Sequence, residues 1–112
     1  MIWTGYFSGY KGTEGVAICL WKPYWFKGEQ YLPLAPTQRI LNWFRETDRG
    51  EEAQKIYRQL YFRDVLAKLD VHQVARALDG KVLLCYEKQG VFCHRHLVAE
   101  WLNVNGYKCE EF

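Results

Sequence analysis

The segment Leu83-Leu84-Cys85-Tyr86-Glu87-Lys88-Gln89-Gly90-Val91-Phe92-Cys93-His94-Arg95 puts two thiols, a carboxylate, an imidazole and a guanidinium between Cys85 and Arg95. A thiol at Cys93, at the start of a helix and beside Arg95, has its thiolate favoured by both positive fields. Glu87 and His94 are the types that carry protons or activate a nucleophile. Arg95 can hold a phosphate or carboxylate through two parallel hydrogen bonds, and free N–H groups at a helix start prefer the same ligands. The expected catalytic residues are therefore Cys93, His94 and Glu87, with Arg95 and Cys85 binding the ligand. A different chemistry uses Cys85, Cys93 and His94 as a metal or redox-thiol centre. The cysteines lack the Cys-x-x-Cys spacing of a zinc knuckle, so a metal would need the fold to complete its ligand set; no cofactor is otherwise implied. A phosphatase loop is excluded, because six residues past Cys85 stands Val91 and past Cys93 stands Ala99. Neither G-x-x-x-x-G-K-[ST] nor G-x-G-x-x-G occurs. Against the cluster stand ordinary roles: packing for Cys85, a surface ion pair for Arg95.

The elements that must position these groups can be read from pattern. Val82–Tyr86 is an uninterrupted apolar run, as in a strand covered on both faces, within a strand expected over Lys81–Tyr86. Ile2–Phe7 and Gly15–Trp21 read as two further strands, and Tyr107–Glu111 as a short last one. Lys22–Pro36 holds all three prolines and reads as an irregular loop. Thr37 caps a helix to about Glu46, Glu51–Leu69 forms a longer one, and Asp70 caps Val71–Leu78. The last helix starts near Cys93 and ends at Asn105-Gly106. Alternating strands and helices predict one α/β domain spanning residues 1–112, with a mainly parallel sheet flanked by helices. In such sheets ligands collect at the carboxyl ends of strands, where Cys85 and Glu87 fall.

Composition supplies a second feature. Of 112 residues, 17% are aromatic, including 5 Trp and 8 Tyr, while the formal net charge is only +2. A polycation held on DNA by bulk charge is thus excluded. Residues 1–28 interleave rings with Lys11, Lys22 and Lys27, against the single acid Glu14. That pattern suits base stacking with phosphate contact, so a nucleic-acid-binding accessory role is a further alternative. Tyr6, Tyr10, Trp25 and Tyr86 are the rings expected beside the site; Trp3 and Trp21 are expected in the core. No run approaches the length of a membrane helix, and the start has neither basic residues nor an apolar signal core. A cytoplasmic protein with reduced cysteines and no membrane partner is expected. His72 and His96 are expected to be lone helix histidines without partners.

At Leu83–Glu87 and Phe92–Arg95 the chain resembles domain-of-unknown-function family 488 (DUF488). That family carries a Cys-x-Glu element followed by Cys-His-Arg at a helix start. Thr4-Gly5-Tyr6-Phe7, Leu34-Ala35-Pro36-Thr37, the Tyr57/Tyr61 helix and Val98-Ala99-Glu100-Trp101-Leu102 extend the likeness to its short branch, which more often has Ser at the place of Gly5. The resemblance implies a small α/β domain centred on Cys85, Glu87, Cys93, His94 and Arg95, with no assigned reaction. The residues themselves lead to the expectation of a phosphorylated, nucleotide-derived ligand. Arg95 would hold its anion, rings would stack on it, and Glu87 would accept hydrogen bonds from it.

Overall fold

The computed structural model describes residues 1–112. Five strands form one sheet: β1 (Ile2–Tyr6), β2 (Gly15–Ala17), β3 (Glu29–Gln30), β4 (Val82–Cys85) and β5 (Cys109–Glu111). Four helices accompany them: α1 (Gln38–Arg45), α2 (Glu51–Asp64), α3 (Val71–Leu78) and α4 (His94–Val104). The strand order is β3-β2-β4-β1-β5, and every neighbouring pair is parallel. The expected α/β domain with its parallel sheet is what the chain forms. No helix is long and apolar enough to cross a membrane.

The centre of the sheet is β4, all four of whose residues are buried. Val82, Leu83 and Leu84 have hydrocarbon on both faces of the sheet, which is why the run is apolar without alternation. Leu83 faces a large core that also takes Ile2, Val16, Ile18 and the apolar stripes of the helices. Val82 and Leu84 face a smaller cluster with Phe7, Ala17 and Cys19. That second face has no helical layer. Rings from loops and strands cover it instead, among them Trp3, Tyr10 and Phe26. Gly15 in β2 permits this close cover, because a Cβ there would lie 2.6 Å from Leu84 Cδ1 and 3.3 Å from the Tyr10 ring.

Helix boundaries follow their caps. Thr37 Oγ1 accepts from the Ile40 N–H at 3.1 Å, and Asp70 accepts from the His72 N–H at 3.0 Å. Gly80 and Gly106 take the left-handed conformation past α3 and α4. Three elements depart from the pattern reading. The expected helix Glu51–Leu69 stops at Asp64; Val65 is its buried C-cap, and Leu66–Lys68 continues as a 3-10 turn. The expected loop Lys22–Pro36 contains β3, a two-residue edge strand whose Gln30 donates from Nε2 to the carbonyls of Cys19 and Leu20. The strand expected to Trp21 ends at Ala17, and Trp21 is 69% exposed, which corrects its assignment to the core.

Candidate active site

The junction between β4 and α4 is built by a loop that turns back on itself. β4 delivers Cys85 at its carboxyl end, and residues 86–92 return the chain so that Cys93 becomes the N-cap of α4. Phe92, just before the cap, anchors this return by packing on Phe44 and Tyr57, with ring centroids 5.7 and 5.1 Å away. The two sulfurs thereby meet: Cys85 Sγ and Cys93 Sγ stand at bonding distance, with Cα atoms 7.7 Å apart. Sulfurs at bonding distance do not bear out the reduced thiols expected at these two positions. Cys19 and Cys109 do remain free and buried, and burial pushes both thiols up to about 11. They stay protonated and unreactive.

His94, the first residue of α4, is buried against the pair. Its Nε2 lies 2.8 Å from the Ile18 carbonyl and can only donate there, which leaves Nδ1 as the unprotonated nitrogen. Nδ1 stands 3.8 Å from Cys93 Sγ. Burial lowers the imidazole to about 4, against a weaker upward pull from Ile18 and a further lowering by Arg95. At neutral pH His94 is an uncharged acceptor aimed at sulfur. The Tyr61 ring packs edge-on against it at 5.6 Å.

Arg95 is not on the surface and does not reach outward. It is the largest fully buried side chain. Its Nε and Nη2 donate to the Glu111 carboxylate, with Nη2 to Oε2 at 2.9 Å. Its Nη1 donates to the Glu87 carbonyl at 2.6 Å and points at Cys85 Sγ, 3.5 Å away. Glu111 also accepts from Thr4 Oγ1 at 2.5 Å. Burial raises the Glu111 carboxyl, but the bonds from Arg95 and Thr4 outweigh it and hold the group below its ordinary value. An internal ion pair therefore occupies the guanidinium that the sequence suggested for an external anion. Its remaining influence on the site is a positive charge beside Cys85.

A cavity of about 270 Å³ opens at the carboxyl ends of β2 and β4. Cys85, Cys93, His94 and Glu87 all line it, while Arg95 does not. Its walls are rings: Trp21, Phe44, Tyr57, Tyr86 and Phe92. Tyr86 donates its hydroxyl to the Trp21 carbonyl at 2.6 Å, tying the exits of β4 and β2 together beside the opening. Of the rings expected here, Tyr86 lines this cavity and Tyr6, Tyr10 and Trp25 do not. Tyr6 lies under the Arg95 guanidinium, 5.9 Å from ring centre to Cζ. Tyr10 and Trp25 line a separate cleft.

Sequence reasoning missed the rest of the ring wall, though some signals were present. Leu41 and Phe44 share a face of α1, and Phe92 occupies the position before an N-cap, where an apolar residue commonly fastens a helix entry. Trp21 had no such signal. His72 was also misjudged as partnerless, since its Nδ1 bonds the Tyr107 hydroxyl.

Chemically the junction offers sulfur, an oriented imidazole and a carboxylate on one wall of a mostly apolar cavity. The ligating atoms of Cys85, Cys93 and His94 all lie within 4.8 Å of one another. Bonded to each other, the sulfurs would not be thiolate ligands; reduced, they would present a two-sulfur, one-nitrogen set. Comparison with curated proteins and with solved structures gives no match. The family comparison does: residues 19–106 match DUF488-N3a, described as the active DUF488-N3 subclade. That span contains both the Cys-x-Glu and the Cys-His-Arg elements and most of the chain, so this protein belongs to the DUF488-N3a family.

Proposed function

We propose that the protein is a redox-active thiol enzyme whose Cys85–Cys93 pair cycles between disulfide and dithiol at the wall of the ring-lined cavity. The observation that carries this reading is the pairing itself, set between a strand end and a helix N-terminus with His94 and Arg95 on either side. In the reductive half, the thiolate of an incoming small thiol attacks Cys93 Sγ. The Cys85–Cys93 bond breaks, and Cys85 leaves as a thiolate beside the Arg95 guanidinium, which favours the charged form. A second incoming thiol then attacks the mixed disulfide, releasing the oxidised disulfide of the small thiol. Cys85 and Cys93 end as thiols, so two thiols are oxidised for one disulfide reduced. His94 Nδ1 accepts a hydrogen bond from the new Cys93 thiol. The reverse reaction re-forms the Cys85–Cys93 bond while an incoming disulfide is reduced to two thiols.

Thiol counting tests this directly. Unfolded without reductant, the purified protein should take up two alkyl groups, on Cys19 and Cys109, and four after reduction. A glutathione redox titration should give one two-electron transition, lost in Cys93→Ser. Four alkyl groups without reductant, from protein purified in air, would sink the proposal. The reduced three-donor set is tested in the same preparation by metal analysis.

A second reading concerns what the cavity holds. Its rings and the Glu87 carboxylate favour the base or nucleoside portion of a nucleotide-derived ligand, with hydrogen bonds donated to Glu87. Neither lysine nor arginine lines it, so a phosphate would have to lie outside. Nucleosides should then raise the melting temperature at least as much as their phosphates. A shift that requires the phosphate would remove this reading.

A further inference from the structure

On the sheet face without helices lies a second cleft, of about 390 Å³, whose chemistry is the opposite of the first. Lys11 and Lys27 line it together with the rings of Phe7, Tyr10, Trp25 and Phe26, and no carboxylate does. The nearby acids are engaged elsewhere: Glu14 with Lys81 at 3.0 Å, and Glu29 with the same ammonium at 3.8 Å. Lys11 has no carboxylate partner, and Lys27 reaches only the Tyr24 carbonyl at 3.3 Å. Between Tyr10 and Glu14, the N–H groups of Lys11, Gly12 and Thr13 donate to no backbone carbonyl. Two ammonium groups, free backbone donors and the exposed Trp25 ring are a set that takes phosphate and base together.

The rings also run beyond the cleft. Phe7 touches Phe26 at 5.1 Å and Trp25 at 6.1 Å on one side, and Tyr86 at 5.2 Å on the other. Tyr86 lines the thiol cavity. Phe7 is itself buried and leaves Trp25 and Tyr86 as the exposed rings on either side of it, which suits a ligand with successive rings and a phosphate between them. Paired and stacked bases of a duplex present no free faces to such rings.

We infer that the Lys11–Trp25–Lys27 cleft binds single-stranded nucleic acid. The inference is independent of the thiol chemistry. It is tested by fluorescence anisotropy of a short labelled oligothymidine over a salt series. Affinity should fall as salt rises. Lys11→Gln with Lys27→Gln should flatten that log–log slope by about 1.4, two phosphate contacts at about 0.7 each on a single strand. Trp25→Ala should weaken binding by about tenfold or more, with the melting temperature unchanged. Lys68→Gln, remote on the turn after α2, should alter neither. Equal slopes for the wild type and the double lysine variant would overturn the inference, as would equal binding of a duplex, or competition by thymidine monophosphate as strong as by the oligomer. A failed thiol count alongside salt-dependent oligomer binding overturns only the redox reading.

Discussion

The two cavities differ in what stands behind their walls. Behind the thiol cavity lies charge that has been removed from water: Arg95 against Glu111, with Thr4 and the Glu87 carbonyl completing the bonds. Behind the aromatic cleft lie only hydrocarbon and ring edges, with its charges at the rim. The first is held in one geometry by groups that cannot be left unpaired. The second is shaped by packing and by glycines that keep side chains out. Substitutions in the first should therefore cost stability, and those at the rim of the second should cost only binding.

The largest expected effect breaks the buried pair. Arg95→Ala leaves Glu111 without its guanidinium and should cost about 3 kcal/mol in urea unfolding, the low end for a broken buried pair because Glu111 is partly exposed. Lys27→Gln at the cleft should stay within about 0.5 kcal/mol of wild type. Similar losses from both would erase the distinction.

His94 gives a pH-dependent effect of comparable size. Its imidazole is lowered from 6.5 to about 4 in the folded protein. As pH falls below 6.5 the unfolded chain binds a proton that the folded one refuses, so the stability present above that pH is lost down to about 4. The full loss is about 3 kcal/mol, and stability attributable to this group is flat above 6.5. Urea midpoints across that range should show it, and His94→Gln should remove the slope. A variant with the wild-type slope would mean that some other group titrates.

The smallest effect is the most selective. Thr37→Ala removes the cap of α1 and should cost about 1 kcal/mol. Since α1 supplies Leu41 and Phe44 to the thiol cavity and nothing to the cleft, nucleoside-induced melting shifts should shrink while oligothymidine binding holds. Equal weakening of both would show that the cavities are not separately supported.

Local patterns were legible where one residue answers to its neighbours. Thr37 and Asp70 act on backbone groups two or three residues away, and the apolar run at β4 reports its own burial. The cluster from Cys85 to His94 was legible for the same reason, because a strand end and a helix start adjoin in the chain. Trp21 was not, because nothing local says that β2 ends at Ala17. β3 escaped because a two-residue edge strand leaves no period to detect. The break at Val65 escaped because burial of Val65 and Leu66 overrides helical spacing that continues through them.

By itself, then, the sequence determined the parallel α/β domain, the helix caps and the cluster of five residues at the β4–α4 junction, since each depends on patterns within one element or across one junction. Only the tertiary structure decided how those residues are used. Arg95 became an internal ion pair because Glu111, sixteen residues on, arrives beside it on the neighbouring edge strand. Cys85 and Cys93 became partners because Phe92 folds their loop back onto rings of α1 and α2. The rings of residues 1–28 were divided between cavity and cleft because every helix packs on one face of the sheet and leaves the other to them. Contacts between distant segments depend on which elements share a layer, and no spacing within the chain encodes that.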